Sequence, residues 1–334
     1  MNQTWYCLCF SVLIFAFSSG ASASDLVQRV EVQAFIDEMH DKHGFDRRQL
    51  RRLFGQLRPQ PKVLNAISPP KDPSARSWHA YRSRFVEPVR IEGGLRFWEA
   101  HRATLAAAAG RYGVPEEIIV AIIGIETLYG RNMGTFPALA TLATLAFDYP
   151  PRSELFKREL EALLLLARDT RRNPLGYTGS YAGALGIPQF LPSSIRAWGV
   201  DFDGNGRVDL VASIPDAIGS VANFLASHGW ESRGLIAQPA QITGTRHAEL
   251  LDGAVLPRLT LSEMGEYGVS ADGAPDAPCV LIDLLTPDAP TEFWIGFRNF
   301  YVITRYNRSS FYAMAVFSLS QELRARREAR LAAR

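Results

Sequence analysis

Cysteine is scarce in this chain: there are three in 334 residues, and two of them, Cys7 and Cys9, lie close to the N-terminus. If that segment is removed on export, Cys279 remains alone, and a single thiol cannot form an internal disulfide. Stability must then come from a hydrophobic core of adequate size. Cys279 is expected to be a buried strand residue, because no histidine can be assigned as the partner of a catalytic thiol.

An excess of charge of either sign is also missing. The chain has 36 basic and 34 acidic residues and a net charge of +2, which gives no support for a nucleic-acid partner. It contains no internal repeat and no low-complexity segment. A hydrophobic fraction of 47% and a charged fraction of 21% are those of an ordinary globular chain, long enough for two or three domains.

The N-terminus has the features of a signal peptide. Residues 1–23 carry no charged side chain, the apolar stretch Trp5–Phe17 is short for a bilayer, and Ala21-Ser22-Ala23 fits a signal-peptidase site. We expect cleavage after Ala23 and a periplasmic location. An uncleaved anchor is the alternative, because no Lys or Arg precedes the apolar stretch. Neither Cys7 nor Cys9 follows a Leu-small-small triplet, so lipid anchoring is not supported.

Apolar periodicity predicts a mainly α protein with a small β domain, an α+β fold. Helical spacing covers Leu26–His43 and Arg47–Leu57, and prolines then indicate an extended connector. The pattern is helical again from Gly94 to Asp169, whereas Trp230–Phe297 has short β-branched runs. The predicted regions are an N-terminal helical lobe with connector (24–90), a core (91–230), the small β domain (231–298) and a C-terminal segment ending in a helix (299–334).

The stretch GVPEEIIVAIIGIETLYGRNMGT, residues 113–135, places one acid, Glu126, in a run of isoleucines. Pro115 suits the first turn of a helix and Gly130 suits the position after the last turn, so a helix is predicted over 115–129. Isoleucines three, four and seven residues before Glu126 share its face, which is the face that packs inward. The acid must therefore be desolvated or line a cleft.

Two effects are expected to raise the pKa of Glu126: burial among apolar side chains, and the negative end of the helix dipole. A carboxyl that is protonated near neutral pH is what a general acid for glycosidic cleavage requires. The alternative is an ordinary acid at a helix end that forms a salt bridge with Arg131. The nearby Tyr129 likewise has an interpretation without a function, as a residue that only fills the core.

The segment GSYAGALGIPQFLPSS, residues 179–194, is rich in small residues, which let the backbone approach another group closely. Its polar side chains are uncharged: Ser180, Gln189, Ser193 and Ser194 can all form hydrogen bonds. Neutral polar groups together with aromatic side chains suit a sugar ligand. A tight turn between two helices, with no ligand, is the alternative.

The segment DFDGNGRVD, residues 201–209, follows the first half of a calcium-binding loop, with oxygen ligands at positions 1, 3, 5 and 7 and Gly206 at position 6. Position 12 is Ala212, where such loops have Glu, so the closing ligand must come from elsewhere. A metal-free turn is the alternative. The predicted ligands are Asp201, Asp203, Asn205, the carbonyl of Arg207, and Asp216.

Several long motifs occur together and in order: WHAYRSRFV, RFWEAHR, YGVPEEIIVAIIGIETLYGR, GSYAGALGIPQFLPSS, DAIGSVANFLASHGW and NFYVITRYNRSSFYAMAV. Through them the chain resembles the bacterial lytic murein transglycosylase B family, whose lysozyme-like enzymes cleave the glycan strands of peptidoglycan. The resemblance extends over nearly all of the chain from about residue 30. It implies a lysozyme-like catalytic core with a calcium loop of the EF-hand type.

The resemblance also implies roles for single residues. Glu126 matches the catalytic acid/base of the family, and the calcium ligands match the loop described above. The implied sugar-contacting residues are Tyr81, Ser180, Gln189, Tyr306, Asn307 and Tyr312. The implied cofactor is a structural Ca²⁺, with no organic cofactor. The implied partners are peptidoglycan glycan strands and complexes for cell-wall synthesis or division, with the protein a monomer.

Most glycosidases use two carboxyl groups, and no second acid stands out beside Glu126. The expected reaction therefore uses the N-acetyl group of the substrate in place of a protein nucleophile, and it ends with attack by the MurNAc 6-hydroxyl to give a 1,6-anhydro sugar. A hydrolytic muramidase with the same acid is one alternative. A peptidoglycan- or calcium-binding module without activity is another, although such a module has no use for a desolvated acid.

Overall fold

The structure is a computed structural model that describes residues 23–68 and 76–333. The predicted signal peptide lies outside the described residues, apart from Ala23. The chain divides into two compact units, with the boundary between Pro59 and Gln60. In the part of the chain that the structure describes, no helix is long and apolar enough to cross a membrane.

The α-helices of the described residues are α1 (Ala23–Gln28), α2 (Val30–His43), α3 (Arg47–Phe54), α4 (Pro61–Ile67), α5 (Trp78–Phe85), α6 (Pro88–Ala100), α7 (Arg102–Tyr112), α8 (Glu116–Thr127), α9 (Ala138–Asp148), α10 (Ser153–Asp169), α11 (Pro192–Trp198), α12 (Ile214–Ser227), α13 (Leu261–Gly265), α14 (Arg298–Tyr306) and α15 (Ser310–Ala332). The strands are β1 (Phe136–Pro137), β2 (Thr178–Gly179), β3 (Ala237–Pro239), β4 (Gln241–Ile242), β5 (Val269–Ser270), β6 (Val280–Leu284) and β7 (Glu292–Gly296). The fold is therefore mainly α, as predicted.

The first unit contains α1, α2 and α3. The helix predicted over 26–43 is broken at Arg29, whose backbone is extended. Gly44, with φ of 69°, ends α2, and the carboxylate of Asp46 then accepts a hydrogen bond from the Gln49 N–H at 2.7 Å to begin α3. The rings of Phe35 and Phe54 pack 5.9 Å apart in the core of this unit.

The connector predicted after residue 57 is not extended throughout, because α4 forms within it. Pro61 occupies the first position of that helix, where its missing N–H would have no helical partner in any case. The prolines correctly indicate where the helical pattern changes, but Pro61 begins a new helix. Within the second unit α4 packs against α9.

The second unit is built around α8, which packs against α6, α7, α12 and α15. Almost every side chain of α8 is buried, and Ile119, Ile122 and Ile123 are fully inaccessible to solvent. A helix that is apolar on all sides needs neighbours on all sides. Because α15 contributes to this packing, the C-terminal end of the chain folds back onto the core.

The strands β3 to β7 all lie between residues 237 and 296. β3, β7 and β6 form an antiparallel sheet in that order, and β4 pairs with β5. A separate apolar cluster lies against the sheet and includes Met264, Cys279 and Ile295. Cys279 is fully buried and forms an isolated bridge with Leu259, so its prediction as a buried residue is confirmed. The other predicted domain boundaries stay predictions.

Candidate active site and calcium loop

The helix that carries Glu126 ends earlier than predicted. α8 stops at Thr127, and three successive residues, Leu128, Tyr129 and Gly130, have φ of 51°, 63° and 85°. The N–H of Leu128 and the N–H of Tyr129 bond to carbonyls of the last helical turns. The left-handed turn therefore begins at Leu128, two residues before the glycine expected to form it. Glu126 thus belongs to the final turn of the helix.

Tyr129 stabilises this unusual turn. Its hydroxyl donates to the carbonyl of Arg90 at 2.9 Å, and its ring lies against glycines of α6 and α8. A Cβ atom at Gly94 or Gly124 would be 2.5 Å from the Tyr129 oxygen, so no larger residue fits at either position. Tyr129 is therefore part of the core, which confirms the structural alternative for this residue.

Thr127, which the sequence analysis did not single out, joins α8 to the glycine-rich segment. It is fully buried. Its hydroxyl donates to the carbonyl of Ile187 at 2.8 Å and accepts a hydrogen bond from the Gly130 N–H at 2.9 Å. One side chain thus fixes both the turn after Glu126 and the position of residue 187. A threonine near a helix end has no sequence signal that would reveal this role.

Glu126 is half-buried, and its carboxylate accepts a short hydrogen bond, 2.6 Å, from the Tyr312 hydroxyl. Burial raises the pKa of Glu126 to about 7, while the bond from Tyr312 acts in the opposite direction. Within the described residues, no ion pair joins it to Arg131, whose side chain is exposed. The salt-bridged alternative is therefore wrong, and the predicted rise in pKa is found.

Three tyrosines surround the carboxyl group. The rings of Tyr306 and Tyr312 are nearly parallel with centroids 6.4 Å apart, and the Tyr306 hydroxyl donates to the Pro188 carbonyl at 2.5 Å. Burial and the charge of Glu126 raise the pKa of Tyr81 to about 12, and they raise the pKa values of the other two as well. All three are therefore neutral hydroxyl donors near pH 7.

The glycine-rich segment approaches other backbone closely at two positions. A Cβ atom at Gly134 would be 2.2 Å from the Gly179 carbonyl oxygen, and one at Gly186 would be 2.4 Å from that of Leu210. Both glycines have positive φ, so both steric and backbone constraints require glycine there. At these positions the small residues therefore allow close contact with the protein's own backbone.

Ser180 and Gln189 are held within this segment. The Ser180 oxygen accepts the Ala184 N–H at 3.1 Å, which leaves its hydroxyl hydrogen available. Gln189, with φ of 51°, donates through its amide nitrogen to the carbonyls of Met133 and Gly186, so its side-chain oxygen stays available as an acceptor. These are the donor and acceptor that a neutral sugar could use.

The structure thus brings most of the predicted sugar-contacting residues to one region. Tyr81 and Tyr306 lie close enough to Glu126 for its charge to affect their pKa values, and Tyr312 contacts it directly. Gln189 directly follows residues 187 and 188, whose carbonyls accept hydrogen bonds from Thr127 and Tyr306, and Ser180 lies in the same glycine-rich segment. Asn307 is exposed at the end of α14, and no described hydrogen bond of its side chain connects it to the others.

The predicted calcium loop is organised by its aspartates. Asp201 accepts the N–H groups of Gly204, Asn205 and Gly206 at 2.7–3.0 Å. Burial acts to raise the pKa of Asp201, but these three donors outweigh it and the pKa is lowered. The carboxylate is therefore ionised at neutral pH, as a ligand for a cation must be.

Asp216 is the predicted closing acid, in place of the missing one at position 12. It lies on α12, is fully buried, and accepts the N–H groups of Phe202 at 2.9 Å and Asp209 at 2.8 Å. Carboxylate oxygens of Asp201, Asp203 and Asp216 all lie within 4.8 Å of one another. Three converging hard oxygen donors fit the coordination chemistry of Ca²⁺. Asn205 accepts the Arg207 N–H at 3.0 Å, and all five residues stay predictions as ligands.

Comparisons with known proteins identify the family of this chain. The family described as the transglycosylase SLT domain matches residues 28–321. Membrane-bound lytic murein transglycosylase B of Escherichia coli (strain K12) is 40% identical over 308 residues, which are 89% of this chain and 83% of that protein. The catenated lytic transglycosylase SltB1 of Pseudomonas aeruginosa has a TM-score of 0.86 and 42% identity, covering 91% of this chain and 100% of that one.

A further solved structure is that of Escherichia coli lytic transglycosylase Slt35 in complex with calcium. Its TM-score is 0.81 at 38% identity, and the match covers 92% of this chain and 96% of that one. The chain therefore belongs to the transglycosylase SLT domain family. Within that family it is a lytic murein transglycosylase, an enzyme that cleaves peptidoglycan.

Proposed function

We propose that Glu126 is the only protein acid/base of the cleavage reaction. The carrying observation is its position: a carboxyl in the last turn of an apolar helix, desolvated enough for a pKa of about 7 and bonded to one neutral hydroxyl. Burial and that hydroxyl account for the pKa, with no second carboxyl among the described residues contributing. A nucleophile–acid pair of the usual kind would place two carboxyls close together.

The reaction begins when protonated Glu126 gives its proton to the oxygen that joins MurNAc to GlcNAc, and the bond from C1 to that oxygen breaks. The carbonyl oxygen of the MurNAc acetamido group donates an electron pair to C1 in place of a protein nucleophile. Ionised Glu126 then removes the proton of the MurNAc 6-hydroxyl, whose oxygen attacks C1 while the bond from C1 to the acetamido oxygen breaks and the N-acetyl group is restored. The products are a 1,6-anhydro-MurNAc end and a glycan with a free GlcNAc hydroxyl, and Glu126 is protonated again.

The three tyrosines contribute to this reaction in two ways, through one hydroxyl and through aromatic surface. Tyr312 stabilises the carboxylate that remains after the first proton transfer, through the hydrogen bond of 2.6 Å. Tyr81 and Tyr306 add half-buried aromatic surface beside the acid, on which sugar rings can pack. Ser180, Gln189 and Asn307 are proposed as further sugar contacts, the first two with a free donor and a free acceptor respectively.

The loop at 201–216 is proposed to hold one structural Ca²⁺. The ligands would be Asp201, Asp203, Asn205, the Arg207 carbonyl and Asp216. The support is the converging carboxylates, together with the Slt35 structure that contains calcium. Bound Ca²⁺ would neutralise the repulsion among the acids. It would also fix the start of α12 relative to the glycine-rich segment, since the Ile187 N–H bonds to the Leu210 carbonyl at 2.8 Å.

The substrate proposed for this chain is peptidoglycan glycan strands, in the periplasm, reached through cleavage after Ala23. The name of the Escherichia coli relative, which specifies a membrane-bound enzyme acting on murein, supports an envelope location. A monomer, recruited by complexes for cell-wall synthesis or division, is the proposed form. No organic cofactor is needed for the steps above.

Mass spectrometry of muropeptides released from purified sacculi tests the chemistry. With the 6-hydroxyl as acceptor, the released MurNAc ends are non-reducing and lighter by one water than lysozyme products. Reducing MurNAc ends as the major species would instead establish a hydrolytic muramidase that uses the same acid. Release of no fragments by the purified full chain would contradict both.

A further inference from the structure

A cavity of about 400 Å³ lies between α5, β7 and α15, and none of the proposed sugar-contacting or catalytic residues lines it. Its floor is apolar. Trp78 and Met314 are buried there, and the half-buried rings of Trp294 and Phe317 meet edge to face with centroids 6.2 Å apart. Such a surface suits an aliphatic chain or the face of a ring.

The rim of the cavity carries charges of both signs. Arg82 on α5 is exposed and forms no ion pair within the described part of the chain. Glu292 on β7 faces His79 at 3.2 Å, and Glu322 on α15 faces Arg326 at 3.5 Å. The cavity therefore offers an unpaired guanidinium from one wall and carboxylates from the other two.

The wall formed by α5 is fixed in place. The N–H of Trp78 donates to the Leu285 carbonyl at 2.7 Å, and the N–H of His79 donates to the Thr286 hydroxyl at 3.2 Å, so the helix is attached to the loop between β6 and β7. The same helix carries Tyr81, whose neighbour in sequence is Arg82. One short helix thus borders both the candidate active site and the cavity.

We propose that this cavity is a second substrate subsite, which binds the peptide carried by peptidoglycan strands. Its ligand is an amino-acid head group with both an ammonium and a carboxylate at the end of a methylene chain. Arg82 binds the carboxylate, Glu292 binds the ammonium, and Trp294 with Phe317 packs against the chain. The proposal rests on the proposed function for its substrate class and on the cavity for its location.

Charge decides between a peptide and a sugar here. An uncharged sugar that covered Arg82 and Glu292 would desolvate an unpaired guanidinium, and it would leave Glu292 with His79 as its one partner, which is unfavourable. A zwitterionic head group pairs both and forms charge-assisted hydrogen bonds with each. The catalytic region has the opposite composition, with neutral hydroxyls and amides around a single acid.

Calorimetry with the full chain carrying Glu126→Gln tests this subsite, because that variant should not turn over substrate. The probe is the free tetrapeptide L-Ala-γ-D-Glu-meso-diaminopimelate-D-Ala. We expect Arg82→Gln to weaken its binding at least tenfold, and acetylation of the free diaminopimelate amine to do the same. Arg84→Gln is the matched control, since it removes an exposed arginine of the same helix that does not line the cavity.

Chitotetraose serves as the probe for the sugar site, and its affinity should be unchanged by Arg82→Gln. The proposal is overturned if the tetrapeptide does not bind at millimolar concentration, if Arg82→Gln binds it as tightly as the parent, or if chitotetraose is weakened instead. Thermal melts of each variant confirm folding, and Glu292→Gln provides a second variant directed at the ammonium.

Kinetics separate this proposal from the proposed function. In the active enzyme, Arg82→Gln should raise KM for strands that carry peptides and leave KM unchanged for strands stripped by an amidase. If Glu126→Gln kept its activity, the assignment of the acid would fail while the binding measurements remained valid. If the two kinds of strand were affected equally, the peptide subsite would fail while the assignment of Glu126 stood.

Discussion

Glu126 and Asp201 are carboxyl groups in opposite surroundings. Glu126 lies among isoleucines and accepts one hydroxyl, so burial prevails and raises its pKa to about 7. Asp201 receives three backbone N–H groups, which prevail over burial and lower its pKa. The first can carry a proton at neutral pH, whereas the second stays ionised and suits a cation. The balance between burial and hydrogen-bond donors decides which role each acid suits.

The largest effect is expected from Glu126→Gln. The amide keeps the shape of the side chain but has no proton to transfer, so kcat should fall by about 10²–10⁴-fold. Product release from sacculi measures it, and Glu328→Gln, an exposed acid on α15, is the control. Retention of more than about a tenth of the activity, roughly 1.4 kcal/mol or less of lost transition-state stabilisation, would contradict the assignment.

The local features of both acids were predictable from sequence. Three isoleucines at helical spacing place Glu126 on the inward face, and the Asp-x-Asp-x-Asn-Gly order places Asp201 at the start of a loop. Both depend on residues within about one or two turns of chain. The resemblance to a known family supplied Tyr312, which lies 186 residues from Glu126 in sequence and which no local pattern connects to it.

Other features could not be predicted because they depend on packing between distant segments. The early end of α8 places Leu128 in a left-handed conformation that its own side chain disfavours. The Tyr129 ring packs between glycines of α6 and α8, and this packing stabilises the left-handed turn at Leu128. Conformational propensity alone would place the turn at Gly130 instead. Thr127 likewise acquires its role only when residue 187 lies beside it.

The next largest effect concerns the calcium loop. Calcium at about 100 times its Kd should stabilise the folded state by roughly 2.7 kcal/mol, a rise in Tm of roughly 4 °C for a chain of 334 residues. The missing acid at Ala212 favours a Kd of about 10⁻⁴–10⁻³ M. The double change Asp201→Ala, Asp203→Ala should abolish the rise, while Asp288→Asn, at an exposed turn, should keep it. A Tm that neither chelator nor 10 mM Ca²⁺ alters would show that the loop binds no calcium.

A smaller effect is expected from Tyr312→Phe, which removes the one hydrogen-bond donor that Glu126 has among the described residues. The hydroxyl stabilises the carboxylate, so its loss should raise the pKa of Glu126 further and shift the basic limb of kcat/KM to higher pH. We also expect a loss of roughly tenfold in kcat, because the ionised intermediate state loses a charge-assisted bond. Tyr301→Phe on α14 is the control. An unshifted pH profile would show that the bond does not tune the acid.

The smallest effect is the dependence of stability on pH that Glu126 itself causes. Its pKa is about 7 in the folded state and 4.5 as an unperturbed group, so between these values the folded protein binds more protons than the unfolded chain. The free energy of unfolding must then fall as pH rises from 4.5 to 7, and it is level outside that window as far as this group is concerned. Glu126→Gln removes this contribution, so its Tm relative to wild type should increase across the window.

Because Glu126 is only half-buried and already bonded to Tyr312, the change in relative Tm should be modest, about 1–3 °C. Melts at pH 4.5 and pH 8 measure it, with Glu328→Gln expected to give the same Tm difference from wild type at both. Asp201 must act in the reverse direction, since its lowered pKa contributes stability that is present above its unfolded pKa and lost as pH falls. A Tm difference for Glu126→Gln that did not change with pH would mean that the pKa of Glu126 is the same in the folded and unfolded states, so the carboxyl would be ionised near neutral pH and could not act as the acid.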